Sequence, residues 1–160
     1  MRRSIAITTV ILLMAIAPAA SAKPVTGPPS DAAGETIDLA AGEACEFATN
    51  LTVTKGKFGG VFFDDSAILT SPGLAVEITN TATGASVELN IPGVFHETYL
   101  PDGTSFIVGT GKNLLFGLFD GEPAMMAIDG HFEATIDPGL VSFIGLTVNG
   151  NATDVCALLD

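Results

Sequence analysis

Two histidines, two cysteines and a scatter of loop carboxylates are the residues with chemistry to offer. His131 stands between Asp129 and Glu133, at i−2 and i+2, which on a strand places all three side chains on one face. A carboxylate-flanked imidazole suits the general base of a hydrolase or a metal ligand, with His96 as the second imidazole. The same pattern is also what the solvated face of any acidic strand looks like. Asp64-Asp65, Asp102 and Asp120 offer hard oxygen ligands to Ca²⁺, yet no loop follows the D-x-[DN]-x-[DN]-G pattern. Gly109-Thr110-Gly111-Lys112 looks like part of a phosphate loop but lacks the full G-x-x-x-x-G-K-[ST] spacing and the helix after it. There is no G-x-S-x-G elbow and no H-E-x-x-H. The sequence therefore names no catalytic residue, no metal-ligand set and no cofactor.

Cys45 and Cys156 carry a firmer expectation. Residues 1–22 have the build of a secretory signal peptide: Arg2 and Arg3, an uncharged apolar run from Ile5 to Ala17, then Pro18 and Ala20-Ser21-Ala22 before a cut at Lys23. The apolar run is short for a membrane span, which needs about 20 residues. In an exported chain two cysteines are expected to pair, here closing a loop of 111 residues. A free thiol nucleophile would need a base beside it, and none is nominated. Losing the leader leaves Lys23, Lys55, Lys57 and Lys112 against 18 acidic residues, a formal charge of −14. A surface of that sign repels nucleic-acid phosphate and anionic lipid headgroups. Neither a nucleic-acid partner nor a membrane span after leader removal is expected.

The elements that must position these residues are strands. From Leu74 to Ile91, Val76 and Ile78, then Val87, Leu89 and Ile91, alternate with polar residues on either side of Asn80-Thr81-Ala82-Thr83-Gly84, which reads as a β-hairpin. Met126, Ile128, Gly130, Phe132, Ala134 and Ile136 alternate with Ala127, Asp129, His131, Glu133, Thr135 and Asp137 in the same way. Further short runs at Cys45–Thr54, Val61–Phe63, Ala67–Thr70, Val94–Leu100, Thr104–Gly109, Asn113–Phe119 and Val141–Val148 are separated by Gly, Pro and Asp turns. Residues 23–34 read as a flexible linker, and residues 35–160 as one secreted β domain. Ala152 to Leu159 reads as a short C-terminal helical turn capped by Thr153 or Asp154, with a last edge strand as the other reading. The expectation is an all-β, mainly antiparallel domain of about 8–10 short strands, either a β-sandwich or a closed β-barrel.

The cysteine strand CEFATNLTV, the hairpin TNTATGASVELNIPG, the DGT turn with TGKNLLF and the ending DVCALL occur in one order. In this the chain resembles a group of uncharacterised small secreted actinobacterial proteins. That resemblance implies an exported β-rich domain with its two cysteines near the domain ends, and it brings no activity and no binding residues.

Aromatic usage separates the binding functions. Trp is absent and Tyr99 is the only Tyr, against ten Phe. Sugar-binding platforms favour Trp and Tyr for their contact area and polar handle, so the Phe residues read as core. A second reading places Phe116, Phe119, Met125 and Met126 around a barrel cavity holding one small apolar ligand. Asn50-Leu51-Thr52 and Asn151-Ala152-Thr153 fit the glycosylation sequon. The sequence favours a secreted non-catalytic β-domain acting through its surface or as a stable extracellular factor. The alternatives are the apolar-ligand carrier and a hydrolase or metal site centred on His131.

Overall fold

The computed structural model describes residues 25–26, 28–137, 139 and 141–160. The expected leader, 1–22, lies outside them. Twelve strands and one helical turn follow in order: β1 (Val25–Thr26), β2 (Ser30–Asp31), β3 (Thr36–Leu39), β4 (Thr49–Lys55), β5 (Lys57–Phe62) and β6 (Ser66–Thr70). Then come β7 (Ala75–Asn80), β8 (Ser86–Asn90), β9 (Gly93–Tyr99), β10 (Ser105–Phe119), β11 (Glu122–Asp137), β12 (Ser142–Asp154) and α1 (Cys156–Leu159). They form two sheets. The larger runs β1-β5-β6-β9-β10-β11-β12, with β2 also on β5, and the smaller runs β3-β4-β7-β8. The closed-barrel alternative is therefore wrong. The chain changes sheet at Gly56, at Ser71–Gly73 and at Ile91–Pro92, which leaves two sheets with separate edges. Within the 23–34 lead-in, Val25–Thr26 and Ser30–Asp31 pair with β5. Paired backbone thus begins ahead of Glu35.

The hairpin β7–β8 forms as its alternation requires, with Val76 opposite Leu89 and Ile78 opposite Val87. Asn80 closes its turn by accepting from the Ala82 and Thr83 amides at 3.0 and 3.4 Å. Its Nδ2 donates to the Leu159 carbonyl at 3.1 Å, so the buried turn residue also holds α1. At the start of α1 the Asp154 carboxylate accepts from the Cys156 and Ala157 amides. Both side-chain contacts satisfy backbone groups that the ends of strands and helices leave open.

Where the chain changes sheet, one hydroxyl acts as a clasp. Ser71 Oγ donates to the Ile91 carbonyl at 2.6 Å and accepts from the Gly93 amide at 2.9 Å. A side chain at Gly56, whose φ is 103°, would run into the backbone of Gly73 and Leu74.

The long strands β10, β11 and β12 bend together. Gly93, Gly111, Gly130 and Gly150 stand opposite one another on β9, β10, β11 and β12, forming a row of glycines across four strands. A Cβ at Gly130 would come 2.5 Å from the Asn149 carbonyl, and one at Gly150 would strike that of Asp129. Only bare backbone lets the strands cross this line so closely. The consequence shows in the pairing. Leu118 and Phe119 of β10 lie parallel to Ser142 and Phe143 of β12, which also pair with Asp137 and Ile136 of β11. The two ends of β11 are thus three strand spacings apart, about 14 Å, although a straight strand of that length would span about 50 Å.

Two apolar clusters fill the structure. The first draws Leu51, Val76 and Ile78 from the small sheet and Met125 from the large one, together with Leu39, Ala44, Cys45, Val155 and Leu159. The second lies inside the bend, with Ile107 and Leu115 of β10, Ile128, Phe132 and Ala134 of β11, and Phe143 of β12. Phe132 packs its ring over Gly109, where a Cβ would occupy the same space.

Candidate functional site

On β11 the trio nominated for acid–base chemistry separates. His131 Nε2 lies 3.2 Å from Glu133 Oε1, and both side chains are about half exposed. Asp129, on the far side of the Gly130 bend, turns instead to Lys112 Nζ at 3.6 Å. His96 stands opposite Val108, which stands opposite Glu133, so His96 shares the outer face of the large sheet with the His131–Glu133 pair. Two strand spacings, about 10 Å, separate the His96 and Glu133 backbones. Among the described residues no group of three His, Cys, Asp or Glu side chains is gathered closely enough to hold a metal ion.

Two of the nominated loop acids, Asp65 and Asp102, bond within their own turns. Asp102 accepts from the Thr104 hydroxyl at 2.7 Å and the Thr104 amide at 3.0 Å, and these bonds hold its carboxyl below the usual carboxylate range. Asp65 accepts from the Ser66 hydroxyl at 2.9 Å. Asp120 takes a φ of 51° in the β10–β11 turn. Gly109–Lys112 is strand, with Gly109 between Phe95 and Phe132 and Thr110 between Val94 and His131. Its amides face neighbouring strands, not an anion.

The four residues nominated for an apolar cavity part company. Phe116 and Met125 belong to the first cluster, Phe119 and Met126 to the second. Phe119 stacks on Phe143 with ring centroids 4.5 Å apart. Consecutive residues on a strand face opposite ways, so Met125 and Met126 were bound to divide. Cys45 and Cys156 do pair, with Cα atoms 5.6 Å apart, inside the first cluster. Of the sequon residues, Asn50 donates to Asp38 at 2.7 Å, and Asn151 is exposed on β12 opposite Asp129.

One ionisable residue escaped the sequence. Glu97 sits on β9 opposite Ala67 and Ile107, only 6 % exposed, and its Oε1 has no hydrogen-bond partner among the described residues. Partial burial, and then the charge of Glu97, push the Tyr99 phenol above its usual range. In β9, apolar Val94 and Leu100 frame one parity while Phe95 and Tyr99 frame the other, so alternation alone did not tell inside from outside. The described residues leave open grooves on the surface, two of them beside the glycine bend. One of about 220 Å³ lies between β8 and the glycine bend, lined by Glu88, Asn90, Lys112, Asn113, Asp129 and Asn151. The other, of about 410 Å³, runs over Pro72, Pro92, Val94 and Thr110.

No helix among the described residues is long and apolar enough to cross a membrane. Compared with protein-family models, curated proteins and solved structures, the chain matches none of them.

Proposed function

We propose that the chain is an exported, non-catalytic β-domain that acts through its surface, its two sheets packed face to face as a sandwich. The observation that carries this reading is where the chemically able side chains end up. The imidazoles, loop acids and apolar pocket candidates are dispersed over turns and strand faces or consumed in two packed clusters. The shared first cluster, with residues from both sheets, supports the sandwich packing. The Cys45–Cys156 bond fits an oxidising compartment outside the cytoplasm. Membership of the small secreted actinobacterial group that the motifs resemble is part of the same proposal. Native mass spectrometry of protein exported by its own host tests it. The expected species is a disulfide-closed chain beginning at Lys23 with no small molecule or metal retained. A ligand or metal held by most molecules would overturn it.

A further inference from the structure

Two hairpin tips project from one end of the large sheet, 63–66 and 100–104, and β11 ends at Asp137 on the same side. The two tips touch, since the Tyr99 amide donates to the Asp65 carbonyl at 2.8 Å. Along the outer face just behind them runs one continuous row. Phe63 bonds to Ser66, and Ser66, Thr98, Phe106, Thr135 and Ile144 stand opposite one another in turn. Phe63 is 39 %, Leu100 36 % and Ile144 53 % exposed, three of the largest apolar side chains left in solvent. Asp64, Asp65, Asp102 and Asp137 frame the row, and no Lys or Arg occurs in either tip. The row crosses five strand spacings, about 24 Å, the length of about seven extended residues.

We infer that this strip docks a cationic, amphipathic segment of a protein partner, with Lys or Arg side chains interleaved among large apolar ones. Charge complementarity decides the occupant. Four carboxylates around an apolar row reward a partner that brings both ammonium or guanidinium groups and apolar surface. A bilayer would force the same carboxylates against lipid phosphates and into a poorly hydrated interface. The inference rests on the surface-acting reading above and names the partner class for that surface.

The test uses the disulfide-intact protein and three synthetic twelve-residue peptides: alternating Leu and Lys, the same with Glu for Lys, and the same with Ser for Leu. Calorimetry should show saturable one-to-one binding of the Leu/Lys peptide, at least tenfold tighter than either control. Hydrogen exchange should slow at 63–66 and 99–104 when that peptide is added. The triple variants Phe63→Ser/Leu100→Ser/Ile144→Ser and Asp64→Asn/Asp65→Asn/Asp102→Asn should each weaken binding at least tenfold. Glu77→Gln/Glu88→Gln, which removes two carboxylates from the small sheet, should leave it unchanged. Equal loss in that control, protection elsewhere on the protein, or preferential binding to phosphatidylcholine or phosphatidylglycerol vesicles would overturn the strip. Absence of binding overturns it too. The surface reading would then still stand, because it is decided separately by the retained-ligand measurement.

Discussion

At the scale of single residues, the informative positions are polar groups wholly or partly withdrawn from water. Glu97 is buried with one oxygen unpartnered, and Tyr99 answers with a raised pKa whose larger cause is its own desolvation and whose smaller cause is the Glu97 charge. Tyr99 is the only Tyr and Trp is absent, so ultraviolet titration reads this one phenol directly. Its midpoint should lie above 10, and Glu97→Gln should lower it while leaving the desolvation part. The sign for stability follows from linkage. A phenol with a raised folded-state pKa contributes stability that is complete below pH 10 and is lost as pH rises through the higher folded value. The Tyr99 share of the denaturant midpoint, read as the difference between wild type and Tyr99→Phe, should therefore be level just below pH 10 and fall above it. Ser71 makes a different kind of contribution. Ser71→Ala strips the Ile91 carbonyl and the Gly93 amide of a shared partner at a half-buried crossing, and should cost about 1–2 kcal/mol in urea unfolding.

At the scale of elements, the bend at the glycine row decides what the long strands do. Gly150→Val would drive a branched side chain into the Asp129 carbonyl. It should destabilise by about 3 kcal/mol or more, and circular dichroism melting would show it. The same bend explains a sequence misreading. Gly109-Thr110-Gly111-Lys112 carries the residues of a turn, so alternation broken there suggested two strands, Thr104–Gly109 and Asn113–Phe119. The structure has one, Ser105–Phe119, because Gly111 serves a corner inside the strand and Gly109 makes room for the Phe132 ring. By contrast the β7–β8 hairpin, the β11 alternation and a C-terminal helical turn were legible, since each depends on neighbours in the chain, although the turn spans Cys156–Leu159 and not Ala152–Leu159 because β12 runs on to Asp154. Division into two sheets was not, because it depends on which strands meet across dozens of residues. Of the nominated site, the His131–Glu133 proximity was legible from i, i+2 spacing. The loss of Asp129 to Lys112 was not, because Lys112 arrives from another strand.

At the scale of the whole molecule, the disulfide and the first cluster act together. The Cys45–Cys156 bond encloses 111 residues, and reducing it should lower stability by about 4–5 kcal/mol on chain-entropy grounds. Matched unfolding curves with and without dithiothreitol would measure that loss. Asn80 holding the Leu159 carbonyl gives the reduced protein a remaining tie between the small sheet and its last turn. Near-ultraviolet signals from Tyr99, on the other sheet, should therefore persist after reduction at moderate temperature.

A bond joining Cys45 to Cys156 also changes how the molecule answers a pull. Tension applied at Glu35 and Asp160 enters at one sulfur and leaves at the other, so the stretch between them, a sequence separation of 111, is bypassed and stays slack. In a single-molecule stretching experiment the oxidised protein should lengthen only by its short flanking stretches. Once the bond is cut, the enclosed chain can pay out by roughly 400 Å, at about 3.6 Å for each residue. With the bond intact the domain is thus a rigid link in any tether, and it becomes an extensible one where reductant reaches it.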